Sequence, residues 1–135
     1  MCPLTLLLVV PHQDSTFLYT EPLSAVGLWF ALEDCTATNG CLEFIPGSHR
    51  DGVHNGRRFV RNATNDGVEF TAPVRTYPEE EFVSAPVAAG TLVLIHGSVV
   101  HRSSKNTSPA SRIIYTFHLI DGAAEYDSRN WYAVM

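Results

Sequence analysis

The sequence predicts an all-β core, a sandwich or a small barrel, and three observations predict it. Short apolar stretches are separated by turn-forming clusters, alternate residues within them face opposite ways, and no stretch sustains helical apolar spacing over about ten residues. The predicted strands are Leu4 to Val10, Ala25 to Leu32, Cys41 to Ile45, Val68 to Thr71, Phe82 to Pro86, Thr91 to Ile95 and Ile113 to Ile120. Thr38-Asn39-Gly40, Pro46-Gly47-Ser48 and Asn65-Asp66-Gly67 supply turns between them. Arg50 to Pro78, broken by glycines and charges, reads as a long loop holding one or two short strands.

The first strand is the one most easily mistaken for something else. Leu4 to Val10 is apolar, but no basic residue precedes it and no small-x-small site follows, so it is a poor signal peptide. It is also too short to span a bilayer. Bounded by Pro3 and Pro11, it reads as a buried strand.

Two other strands carry apolar residues on both faces. In the last, Arg112, Ile114, Thr116 and His118 share one side, and Ile113, Tyr115, Phe117 and Leu119 the other. In the second, Leu28, Phe30 and Leu32 oppose Gly27, Trp29 and Ala31. A sheet of this kind is covered on both sides, yet no helix is predicted to cover one of them. The expectation is a single partial domain over residues 1–135, with an uncovered apolar face that favours self-association.

Composition narrows the function classes. A chain of 135 residues, 45% of them hydrophobic, fits one globular domain. The net charge of -5, with no basic run, argues against nucleic acid as a partner, and nothing points to a membrane. Glu79, Glu80 and Glu81 read as a solvated loop. Cys2, Cys35 and Cys41 form neither a paired disulfide framework nor a Cys-x-x-Cys metal site, which fits a reducing, intracellular and cytoplasmic setting, with no indication of the peroxisome.

His12-Gln13-Asp14 is the first chemical motif. In an extended segment residues i and i+2 project to one side, so an imidazole and a carboxylate here take adjacent corners of one metal site. His101, a short loop beyond the Thr91 to Ile95 strand, is the candidate third ligand. Two histidines and a carboxylate on one face of an ion leave three positions open, as in non-haem Fe(II) oxygenases. Arg112 follows His101 at the start of an apolar strand. A buried guanidinium needs an anion, and its planar fork suits a carboxylate, so a dicarboxylate co-substrate answers both observations.

With Asn39-Gly40-Cys41-Leu42, Pro46-Gly47-Ser48-His49, His101-Arg102-Ser103 and Arg112 added to His12-Gln13-Asp14, the chain resembles the phytanoyl-CoA dioxygenase family from about Pro11 to Trp131. The resemblance implies a double-stranded β-helix, a cupin-like jelly roll, here incomplete and lacking the family's N-terminal helical layer. It implies Fe(II) on His12, Asp14 and His101, and 2-oxoglutarate held by Arg112, Ser103 and Trp29. The implied reaction uses O2, with ascorbate as an accessory reductant. It couples oxidative decarboxylation of 2-oxoglutarate to hydroxylation of an unidentified small molecule or acyl substrate. A truncated, catalytically silent metal- or ligand-binding jelly roll is the alternative.

Several residues carry a second reading. His96, followed by Gly97-Ser98, competes with His101, whose spacing to Arg112 matches the family better. His118 reads equally as a cavity residue and as a satisfied core histidine. Trp29 by composition alone is core. His49 and His54 read as turn residues, and Arg57, Arg58 and Arg61 as solvated surface charges.

Overall fold

The computed structural model describes residues 8–132. Its strands are β1 (Val9–His12), β2 (Thr20–Glu21), β3 (Val26–Ala31), β4 (Leu42–Phe44), β5 (Phe59–Arg61), β6 (Val68–Phe70), β7 (Val83–Ala85), β8 (Leu92–His96), β9 (His101–Ser103), β10 (Ile114–Leu119) and β11 (Glu125–Tyr126). Helical structure among the described residues is limited to short 3-10 turns, the first at Asp14–Thr16. No helix among them is long and apolar enough to cross a membrane.

Two antiparallel sheets face each other. One has the order β1-β9-β4-β7 and the other β10-β3-β8, with β2-β11 and β5-β6 as small flanking ribbons. Trp29, Ala31 and Ile95 from the three-stranded sheet meet Leu42, Cys35 and Cys41 in the buried core, with Phe44 and Ile114 packed beside them. The mostly β architecture thus follows the pattern that alternating apolar residues dictate. Cys35 and Cys41 are buried free thiols.

Six of the predicted strands match β3, β4, β6, β7, β8 and β10 to within one residue at each end. The Leu4 to Val10 prediction is met only at its end. β1 begins at Val9 and runs on to His12, while residues 4–7 lie outside the described residues. The Arg50 to Pro78 segment contains β5 and β6, the short strands expected there.

The expected division of faces is present. Arg112, Ile114, Thr116 and His118 line an interior cavity, while Tyr115 (59% exposed), Leu94 (66%) and Phe117 open outward. Among the described residues no helix covers this outer face of the three-stranded sheet.

Arg58 departs from expectation. Rather than a solvated charge it is buried, with Nη1 donating to Asp127 Oδ2 at 2.6 Å and Nη2 to Asn130 Oδ1 at 3.1 Å. Its guanidinium also lies over the Tyr19 ring. Asn130 is fully buried and donates to Tyr19 O, so the network ties the 125–132 segment to the rest of the fold.

Candidate metal centre and adjoining cavities

The register of β9 builds the centre. β9 lies between β1 and β4, with His101 opposite His12 on one side and Phe44 on the other. A shift in register between Val9 and His12 marks a bulge, a device that re-aims side chains. The two imidazoles stand side by side, ring centroids 4.2 Å apart. As expected from sequence, His101 follows β8 by a short loop that contains Gly97; the short strand it opens was not predicted. His96 ends β8, is exposed, and packs against His49 rather than entering this group.

Asp14 completes the set because Gln13 turns the other way. Gln13 is extended (φ −123°, ψ 130°), so His12 and Asp14 project together while the amide between them points into the fold. Its Nε2 donates to Gly52 O and Ser98 O, and its Oε1 accepts from His54 N. Ser15 N donates to Gly97 O, closing the turn. Gly97 is required there, since a Cβ would stand 2.5 Å from Ala25 O and 2.4 Å from Ser15 Oγ.

His12, Asp14 and His101 offer donor atoms that all lie within 4.8 Å of one another. Nε2 of His12 is 3.6 Å and Nε2 of His101 3.7 Å from Asp14 Oδ1. Donors sharing one ion at about 2.1 Å lie roughly 3 to 3.5 Å apart, so small adjustments suffice. Each Nδ1 is engaged by a backbone carbonyl, Val10 O for His12 and Val99 O for His101. That engagement leaves each Nε2 lone pair for the centre. Asp14 is buried, and its ion-pair partners among the described residues are three histidines, with no Lys or Arg. A buried carboxylate so placed calls for a cation. The donor set therefore fits a divalent ion.

Protonation follows the same geometry. Burial works to raise the Asp14 pKa, but contacts with His118 and His12 and the nearby imidazole charges overcome it and hold the carboxyl well below the usual range. Burial lowers the His101 pKa, opposed by the Asp14 charge. For His12 burial is also the largest influence, yet Asp14 and Val10 O together leave its pKa raised.

Two cavities meet at this centre. The first, about 170 Å³, lies between the sheets and runs from His12, Asp14 and His101 to Ser103 and Arg112, with Trp29 in its wall. Arg112 Nη1 donates to Ser103 Oγ at 2.9 Å, and that hydroxyl donates to Gly40 O at 2.6 Å. Gly40 adopts φ +87°, and a Cβ there would stand 2.5 Å from Ser104 O, so the Asn39-Gly40 turn is what brings this carbonyl to Ser103. Trp29 is both core and cavity wall. The second cavity, about 490 Å³, is lined by Val9, Val10, Phe17, Leu18 and Trp131 and shares His12, Asp14 and His118 with the first.

His12, Asp14, His101, Trp29, Ser103 and Arg112, the site residues expected from sequence, all line this first cavity, whereas His96, His49 and His54 do not. Gln13 and His118 are the residues whose roles sequence reading left unassigned or open. His118 Nε2 stands 3.1 Å from Asp14 Oδ2. Face alternation with Arg112 was the available signal for it.

The fold is similar to that of solved non-haem, α-ketoglutarate-dependent enzymes. The carbocyclase SnoK from nogalamycin biosynthesis, a non-haem α-ketoglutarate-dependent enzyme, matches with a TM-score of 0.68 at 27% identity, over 89% of this chain and 46% of that one. The epimerase SnoN, in complex with Fe3+, α-ketoglutarate and nogalamycin RO, matches with a TM-score of 0.64 at 26% identity, over 90% of this chain and 45% of that one. More particularly, the chain belongs to the phytanoyl-CoA dioxygenase (PhyH) family, whose pattern matches residues 7–114. Phytanoyl-CoA dioxygenase domain-containing protein 1 of Danio rerio is 52% identical over 127 residues, which is 91% of this chain and 43% of that protein. The chain thus spans less than half the length of that relative.

Proposed function

We propose that this chain carries the iron- and 2-oxoglutarate-binding part of a non-haem dioxygenase, built on a double-stranded β-helix of the cupin-like kind. The observation that carries this reading is the meeting of two unlike cavities at one donor set. One ends in a cation and hydroxyl suited to a diacid, and the other is apolar.

His12, Asp14 and His101 would hold Fe(II) through Nε2, Oδ1 and Nε2. Arg112 and Ser103 would bind the distal carboxylate of 2-oxoglutarate, with Trp29 walling the cavity between. When bound, iron and 2-oxoglutarate supply with O2 the oxidative decarboxylation that drives hydroxylation of a C–H bond. The chain's own contribution is order and dryness. The backbone carbonyls fix both imidazoles, Ser103 and Gly40 fix the guanidinium, and the buried core excludes water around the donors. A small-molecule or acyl substrate would enter the apolar cavity beside Trp131.

Anaerobic titration with Fe(II) and then 2-oxoglutarate tests the proposal. A visible ferrous charge-transfer band should appear, be absent in Asp14→Ala, and need far more 2-oxoglutarate in Arg112→Ala. No band in the native chain contradicts the assignment. The uncovered outer sheet face supports a second reading, a silent binding module; a band without succinate formation in air favours it.

A further inference from the structure

Building on the metal centre proposed above, we infer that Gly27 and His118 form a socket for the remote oxygen of Asp14, making His118 a positioning residue. Asp14 presents its two oxygens to different surroundings. Oδ1 faces Nε2 of His12 and His101, whereas Oδ2 is buried and has no aligned hydrogen-bond partner. His118 Nε2 is the group standing against it, at 3.1 Å. His118 itself is outside the group of donors in mutual reach.

The ladder explains how His118 arrives there. β10 pairs with β3 so that His118 lies directly across from Gly27. A Cβ at residue 27 would stand 3.1 Å from Asp14 Oδ2, 3.3 Å from Ile95 Cβ and 3.5 Å from His118 Cδ2. A side chain there would press on the carboxylate and on Ile95 by a few tenths of an ångström and would lie in van der Waals contact with the imidazole, so glycine gives the carboxylate its closest unstrained seat. A small shift on loading aligns the His118 N–H with Oδ2.

The consequence concerns how many coordination positions Asp14 occupies. A carboxylate held at Oδ2 reaches the ion through Oδ1 alone, and with two imidazoles it leaves three positions open. Released from His118, the same carboxylate can turn and take a second position. Outer partners of this kind govern metal affinity by about 10- to 100-fold.

Co(II) binding to the full chain tests the socket by affinity and by the visible spectrum of the bound ion. His118→Ala should weaken Co(II) at least about tenfold and alter the spectrum. His118→Gln, whose amide N–H reaches the same oxygen, should restore both, and Gly27→Ala should weaken binding with the imidazole still present. Native affinity and spectrum in His118→Ala overturn the inference, as does failure of His118→Gln to restore them. A loss in His118→Ala as severe as in His101→Ala also overturns it, because His118 would then be a ligand. If His118→Ala does not fold, His118→Gln and Gly27→Ala decide: near-native binding in the first with weakened binding in the second supports the socket, and any other pattern overturns it. Equal Co(II) binding by the native chain and Asp14→Ala would instead remove the metal centre itself, and the socket with it.

Discussion

The inner and outer faces of the three-stranded sheet are made by the same strands at alternate residues, yet they have little else in common. Inward, Trp29, Thr116 and His118 wall a cavity that continues to Arg112. Outward, Leu92, Leu94, Tyr115 and Phe117 present an apolar surface to solvent. The contrast teaches that the proposed site depends on one face and on the strand register that opposes it to β1 and β9. Changes on the two faces should therefore separate cleanly.

The largest expected effect is on the inner face. Arg112→Ala removes a charged partner worth about 1.5 to 3 kcal/mol, so 2-oxoglutarate affinity measured by calorimetry should fall by roughly 10- to 100-fold, with metal affinity unchanged. Arg58→Ala lies away from both faces and should cost about 2 to 3 kcal/mol of stability in urea unfolding, below the usual range for a buried pair because Asp127 is partly exposed. Its effect on ligand affinity should be confined to the apolar cavity, which contains Trp131.

Acid should reveal the same network. Arg58, then Arg129, hold the Asp127 carboxyl well below its usual range, whereas in the unfolded chain it returns to about 3.9. The pairing thus stabilises fully above about pH 4 and is lost as pH falls toward the lower folded value. Urea midpoints of the native chain should drop more steeply below pH 4 than those of Arg58→Ala. The smallest effect on the site is expected outside. Leu94→Lys with Tyr115→Lys should leave metal and 2-oxoglutarate affinities unchanged while shifting size-exclusion elution toward the monomer, since an exposed apolar face drives association. Weakened ligand binding in that variant would break the separation of faces.

The long strands were legible because period-two apolar patterning acts within each strand alone. His12 and Asp14 were legible for the same reason, and Arg112 through its place on an alternating strand. β9 was not, since His-Arg-Ser is short and polar and becomes a strand only by pairing on both sides. Arg58 was misjudged because the partner that buries it, Asp127, lies 69 residues away. Gly27 carried no local signal at all. Its constraint comes from Asp14, a residue on a different segment.

The central claim is that His12, Asp14 and His101 converge on one ion and His96 does not. Equilibrium dialysis against Fe(II) under anaerobic conditions tests it most directly. The account predicts one ion per chain in the native protein and in His96→Ala, and loss of that ion in each of His12→Ala, Asp14→Ala and His101→Ala. Retention of the ion by His101→Ala, or its loss from His96→Ala, would contradict it.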